Sequence, residues 1–329
     1  MSSDPSGRVF VVPDRAAGLR LDHFLVQHVP HMTRALATAL SAAGEVRVDG
    51  RRARKGDRVV AGAHVELLRL PEPADFAPTP WDGLALDVRH EDEHVVVVEK
   101  PRGLPTHPLR REERETLAQA LLHRYPEMAG VGYALREPGV LHRLDTDTSG
   151  LVVAARTASA FDALRSSQRT GAWTKSYVAL CEGVPRTPDR IETTLGPDPT
   201  DPRRMRVLAD RDETNPQVTE LTEARVLGAL QTADGARVQV SAVHVRVEKA
   251  TRHQIRVHLA YYGHPLVGDT LYGGAALAGD ESPPAHWLHA CAIAFPHPAQ
   301  TDTLVRVESP TTTEMRDIEA RAAAGASSA

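Results

Sequence analysis

Apolar residues recur at helical spacing twice near the start of the chain. In RLDHFLVQHV, residues 20–29, Leu21, Phe24, Leu25 and Val29 share one helical face, and Pro30 ends the run. Thr33 stands where an N-cap hydroxyl would serve RALATALSAA, residues 34–43, and Gly44 where a left-handed residue would close it. EVRV then alternates as a strand does, Asp49-Gly50 marks a tight turn, and HVELLRL, residues 64–70, reads as a further strand. Residues 14–70 are therefore expected to form a small α/β module with little core of its own, suited to binding. PEPADFAPTPWDG, residues 71–83, holds four prolines and no period, and reads as a linker.

From residue 84 to about 312 the pattern turns to strands: LALDVRH, HVVVVEK, GLVVAAR, KSYVALCEG, TEARVLG, ARVQVSAVHVRVE and TLVRVES. Helical patterns intervene at TLAQALLHRY, SAFDALRSSQR and HQIRVHLAYYG. Val238, Val240 and Ala242 alternate with Gln239 and Ser241, which favours an α+β domain with a mixed, largely antiparallel sheet over a doubly wound parallel one. Residues 313–329, ending in EARAAAGASSA, are expected to form a flexible tail.

Composition narrows the function. The 329 residues are 41% apolar, enough for one large core and a smaller unit. No apolar run approaches the ~18 residues of a membrane span, and MSSDPSGR lacks a signal-type segment, so a soluble, cytoplasmic protein with no membrane partner is expected. Cys181 and Cys291 stand far apart with no C-x-x-C, which argues against a disulfide framework or a zinc ribbon. Neither a G-x-G-x-x-G nor a P-loop occurs, so no nucleotide cofactor is expected. The net charge of -4 gives no global basic field, yet RVDGRRARKGDR, residues 47–58, sets six basic residues against two acids. That run reads either as a solvated loop or as a loop gripping phosphates. Of 39 basic side chains only four are lysines (Lys55, Lys100, Lys175 and Lys249), a faint sign that an ammonium is wanted at each.

The stretch GVLHRLDTDTSGLVVAAR, residues 139–156, carries the sharpest chemistry. D-T-D-T-S-G matches the front half of a calcium loop, but the position that must supply a bidentate Glu is Arg156. A guanidinium repels the ion, so calcium is excluded. A polar turn capped by its own side chains is one remaining reading, and a carboxylate held at the mouth of a pocket is the other. The second needs a cation, and RHQIRVHLAYYGHPLVGDTLYGG, residues 252–274, offers Arg252 and Arg256 at i, i+4 with His253 beside them. An Asp–Arg pair would keep the acid ionised. The spacing of His253, His258 and His264 fits no zinc motif, and no metal is expected.

These residues carry a resemblance. HEDEHVVVVEKPRGLPTHP, GVLHRLDTDTSGLVVAAR, KSYVALCEG, HQIRVHLAYYGHPLVGDTLYGG and LHACAIAFPHP occur in the order found in the catalytic domain of the RluA-type pseudouridine synthases. The N-terminal module resembles, more loosely, the small αL-type RNA-binding module that often precedes that domain. The chain departs from the family pattern at Ala250-Thr251-Arg252, where G-R-T is usual, and at Ala285, where an Arg is common.

The resemblance implies the pseudouridine synthase fold over residues 84–312, no cofactor, and RNA as partner, either ribosomal RNA or tRNA. It implies Asp145, Tyr177 and Arg256 as catalytic residues. Asp145 acts at the ribose, either attacking the anomeric carbon or removing the neighbouring sugar proton. Tyr177 stacks on the uracil and relays its proton, and Arg256 keeps Asp145 charged. Arg143, which resembles the residue that fills the space left by the flipped base or contacts the neighbouring backbone, would bind substrate with Leu144, Lys175 and His253, and Leu144 and Leu151 would form the apolar wall. Arg34, Arg51, Arg52, Arg54 and Lys55 would meet RNA phosphates. A monomer is expected. A catalytically silent RNA-binding or ribosome-assembly factor on the same fold, and a nucleosidase, are the alternatives.

Overall fold

The computed structural model describes residues 8–29, 32, 34–54, 56–68, 75–186, 189–208, 216–248, 250–279, 285–300 and 302–326. Thr33 and Lys55 therefore lie outside the described residues. The chain divides into two compact units, Met1–Phe76 and Ala77–Ala329, and the division falls within the proline-rich segment 71–83.

The first unit is a four-stranded antiparallel sheet with two helices. Its elements are β1 (Arg8–Val11), α1 (Leu21–His28), α2 (Arg34–Ala43), β2 (Val46–Val48), β3 (Arg51–Arg52) and β4 (His64–Leu67), with sheet order β1-β4-β2-β3. Asp49 (φ 48°) and Gly50 (φ 76°) both take positive φ, the geometry that joins β2 to β3 in a two-residue hairpin. Phe24 and Leu25 of α1 and Ala37 of α2 pack against Val46, Val65 and Leu67, all fully buried. β1 was not legible in the sequence. It is a short edge strand on which Val9 and Val11 stay exposed, so its alternation carries no burial signal.

The second unit contains β5 (Asp87–Glu91), β6 (Val95–Lys100), α3 (Leu117–Arg124), β7 (Ser149–Ala155), α4 (Ala158–Arg169), β8 (Thr174–Glu182), β9 (Asp189–Thr193), β10 (Leu195–Pro197), β11 (Met205–Val207), β12 (Gln217–Gln231), β13 (Arg237–Val247), α5 (Gln254–Tyr261), β14 (Leu288–Pro296), β15 (Leu304–Glu308) and α6 (Thr313–Ala326). Nine strands form one sheet in the order β5-β6-β7-β14-β8-β13-β12-β9, with β15 on β14, while β10 and β11 pair as a separate hairpin. All neighbours are antiparallel except β7 and β14, which run parallel over two residue pairs. The sheet is mixed and largely antiparallel, as the alternation implied.

β7 shows why its sequence is apolar throughout. Val152 and Ala154 face the core shared with Leu117 and Leu121 of α3, whereas Leu151, Val153 and Ala155 face Phe161 and Leu164 of α4. Both faces are covered, so no polar alternation survives. Helix α3 starts at a reciprocal cap between Thr116 and Gln119, and the Thr157 hydroxyl caps α4. The expectation of a flexible tail from residue 313 is overturned for most of its length. Thr313–Ala326 is helical, and its Met315, Ile318 and Ala322 are buried in a cluster with Leu227 and Leu230 of β12.

Candidate active site

The loop before β7 is fixed from three directions. Gly150 (φ +114°) lies so close to β14 that a Cβ there would meet Ala290 O at 2.4 Å, so only glycine permits the parallel pairing. Thr148 N donates to Asp145 O at 3.0 Å and closes the turn. From the far side, Leu144 is held by Thr106, whose hydroxyl donates to Leu144 O (2.8 Å) and accepts from Leu144 N (3.1 Å). Lys100, fully buried at the end of β6, donates from Nζ to Pro101 O (2.9 Å), Leu104 O (2.7 Å) and Thr146 O (2.9 Å). Burial lowers its pKa to about 7, and Asp147 and Asp145 oppose that shift. Three carbonyl acceptors call for three N–H groups, so the geometry favours the ammonium. The segment KPRGLPT is thus the clamp that aims Asp145.

Asp145 meets its cation 111 residues away. Arg256 Nη1 donates to Asp145 Oδ2 at 2.9 Å, while its Nε and Nη2 donate to Asp269 at 2.7 and 2.8 Å. One buried guanidinium therefore holds two carboxylates, and Asp269, 2% exposed, fixes its plane. Burial pushes the Asp145 carboxyl up, but His253, Arg256 and His286 more than offset this, and its pKa lies below the usual value. Burial drives His253 to about 4 and His286 to about 3, so both are neutral at pH 7 and Arg256 is the standing positive charge. Tyr272 OH accepts from Met205 N (2.8 Å) and lies 2.7 Å from His253 Nδ1. With its oxygen engaged, the phenol donates to Nδ1, which leaves Nε2–H facing Asp145 Oδ2 at 3.7 Å.

Asp145 opens into a cleft of about 410 Å³ with Tyr177, Leu144, Ile255, Val247 and Leu288 as its walls and Arg143 at its edge. Tyr177 is buried, and burial together with the charge of Asp145 pushes its pKa well up, so it remains a phenol. An ionised carboxylate, a neutral phenol and an apolar wall converge on one space, as chemistry at a sugar carrying a flat base requires.

The family described as RNA pseudouridylate synthase matches residues 94–261, a span that holds Asp145, Tyr177 and Arg256. Ribosomal large subunit pseudouridine synthase D of Xylella fastidiosa is 36% identical over 279 residues, covering 84% of this chain and 78% of that protein. The protein of the same name from Pseudomonas aeruginosa is 31% identical over 320 residues, 94% of this chain and 93% of its own. Among solved structures, human RNA pseudouridylate synthase domain containing 1 matches with a TM-score of 0.52 at 27% identity, over 70% of this chain and 85% of that one. This chain belongs to the RNA pseudouridylate synthase family. It is an RluA-type synthase, an isomerase acting on RNA.

The structure brings most of the expected site residues of this pseudouridine synthase together. Asp145, Tyr177, Arg256, Arg143, Leu144 and His253 share the cleft, and Lys175 lines a neighbouring one that also reaches Asp145. Leu151 does not join the wall. It points to the α4 side of the sheet, because β7 alternates and Val152 takes the other face. Arg252 is not on the helical face of Arg256. His253 caps α5 in a left-handed conformation (φ 57°), and Arg252, before it, donates to Pro202 O (3.2 Å) and Arg203 O (2.6 Å) on the β10–β11 hairpin. At the second departure, Arg102 donates to Ala285 O at 2.7 Å and stacks 3.8 Å over the Trp287 ring, so a guanidinium reaches that backbone from elsewhere.

Asp269, Tyr272, Lys100 and His286 were missed by sequence reasoning. GDTLYGG and the lone lysine of VVVVEK were the signals available. Among the described residues, no group of three or more His, Cys, Asp or Glu side chains could hold a metal, and no helix is long and apolar enough to cross a membrane.

In the first unit, Arg34 opens α2 and is exposed, and a groove is lined by Arg20, Thr38, Ser41, Arg52 and Arg54. Arg51 pairs with Asp57 at 3.3 Å, and Arg52 donates to Ala42 O near the end of α2. Arg52 thus has a structural duty beside any contact with RNA.

Proposed function

We propose that this synthase converts a uridine of large-subunit ribosomal RNA to pseudouridine, with Asp145 as the group that acts on the ribose. The observation that carries this reading is the Arg256 guanidinium shared between Asp145 and Asp269 at the floor of the Tyr177 cleft. It keeps Asp145 ionised, which both routes at the sugar need: attack on the anomeric carbon, or removal of the neighbouring proton. The C1′–N1 bond breaks, the uracil turns, C1′ joins C5, and the proton lost from C5 is balanced by one gained at N1. Tyr177, as a neutral phenol, stacks on the uracil and relays the C5 proton. Arg143, exposed at the mouth, fills the space the flipped base leaves, Leu144 supports the sugar, and His253 presents Nε2–H toward Asp145. The isomerisation is redox-neutral and needs no cofactor. Relatives named for the large ribosomal subunit support ribosomal RNA over tRNA as target. The exposed Arg34 and Arg54 of the N-terminal module would add phosphate contacts, and the enzyme would work as a cytoplasmic monomer.

Chemical mapping of pseudouridine in ribosomal and transfer RNA, from cells with and without the gene, tests the target. Purified Asp145→Asn protein should form no pseudouridine while binding RNA with near wild-type affinity. A wild-type rate in that variant would end the role given to Asp145, and absence of the modification from every RNA would end the functional reading.

A further inference from the structure

Two of the four lysines are buried in the second unit, and their surroundings differ. Lys100 directs its N–H groups to three carbonyls. Lys175 is 3% exposed, and among the described residues its ammonium meets the Trp173 ring, 5.6 Å from Nζ to centroid, and the electrostatic field it shares with the buried, neutral His142, neither of them an anion. Burial alone moves its pKa, down to about 8, with no acid opposing it as Asp147 and Asp145 do at Lys100. A buried ammonium without an anion is costly, and a neutral carbonyl does not balance a full charge.

The Lys175 side chain lines a cleft of about 1120 Å³ that reaches Asp145. Arg143, Arg169 and Arg252 line the same cleft, and its acids are Glu248, at an exposed position, and Asp145, already paired with Arg256. Lys175 and Tyr177 are two residues apart on β8 and project from one face, roughly 7 Å apart along the strand. The cleft thus continues from the uridine pocket, is rich in cations, and has in its wall a buried lysine that no acid among the described residues pairs with.

We propose that this cleft is a backbone-phosphate subsite, in which Lys175 takes a phosphodiester oxygen of the RNA strand next to the uridine held at Asp145, with Arg169 as a second ligand at the rim. The phosphates are the anions that RNA brings to the enzyme, and a point-charge ammonium suits a single oxygen. The proposal rests on the reading of the Asp145 pocket as the uridine site.

The test uses full-length Asp145→Asn protein, which holds RNA without turnover, and a synthetic RNA carrying the mapped uridine. Adding Lys175→Met should weaken binding about tenfold. It should also reduce the slope of log affinity against log salt by about 0.7, the share of one phosphate on a single strand. Lys175→Arg should restore the slope. A single methylphosphonate beside the target uridine should weaken the Lys175 protein by a similar factor and leave the Lys175→Met protein unaffected. The thermal midpoint of Lys175→Met should hold or rise, since a desolvated charge is removed. An unchanged slope with every methylphosphonate equally tolerated, or a lowered midpoint with unaltered affinity, would assign Lys175 to structure alone. Those results, with the wild-type enzyme still turning over RNA, overturn the subsite only. Failure of the wild type to form pseudouridine overturns the reading beneath it.

Discussion

Asp269→Asn separates the positioning of Arg256 from its charge. Asp269 and Arg256 are 2% and 7% exposed, and two of the three hydrogen bonds from the guanidinium end on Asp269. Removing one partner of a buried ion pair costs ~3–5 kcal/mol. Asparagine keeps one acceptor, so a loss near 3 kcal/mol is expected, on the order of 10 °C in the melting midpoint of a domain this size. The catalytic effect is distinct. Arg256 would remain beside Asp145, but its plane would no longer be set, and a misplacement near 1 Å costs about a hundredfold in rate. Single-turnover release of tritium from uracil C5, at saturating enzyme and well below the lowered midpoint, reads that step directly. RNA affinity, measured with the Asp145→Asn background, should be unchanged. A wild-type single-turnover rate in folded Asp269→Asn protein would refute the argument, because Asp145 alone would then suffice to orient Arg256.

Further outcomes follow from the same geometry. RNA affinity should fall as pH rises through about 8, where Lys175 loses its proton; the facing groups are Arg143, Arg169 and Arg252, the carboxylates of Glu248 and of Asp145 paired with Arg256, and His142 and His253, which burial keeps neutral. Over that range the unfolded chain, with an ordinary lysine, binds more protons than the native one, so stability should rise with pH while affinity falls. Parallel titration of binding and melting checks this, and Lys175→Arg should abolish the affinity trend. Arg34→Ala with Arg54→Ala should reduce the salt slope by about 1.4–1.8 if each meets one phosphate, and an unchanged slope would return both to solvent. Deleting residues 313–329 removes the buried Met315 and Ile318, uncovers Leu227 and Leu230 of β12, and should cost about 3–6 kcal/mol, seen as a lowered denaturant midpoint; an unaltered midpoint would contradict the packing of α6.

The strands with strong alternation or continuous apolar runs were readable from residues alone, because burial on one face or two writes itself into a short window. α6 was not. Met315, Ile318 and Ala322 have helical spacing, but they are two large apolar residues among many alanines at a chain end, where fraying is the usual outcome. The ion-pair system shows a different limit. Asp145 and Arg256 were legible as chemistry in search of a partner, whereas nothing in PLVGDTLYG set Asp269 apart. Its role comes from a contact that only the folded sheet creates. Arg252 misled for a related reason. The i, i+4 spacing was real, but the left-handed His253 stops the helix one residue short of it.

Lys100 grips its neighbours wholly through main-chain oxygens, at Pro101, Leu104 and Thr146. The side chain of Thr146, which is exposed, is therefore exempt from that task, and saturation mutagenesis should find it tolerant where position 100 is not, whereas Leu104 also packs against the core. The aim of the loop that carries Asp145 rests on one amine, the Thr106 hydroxyl and the path of the backbone, so variation can retune what borders the pocket without disturbing where its carboxylate points.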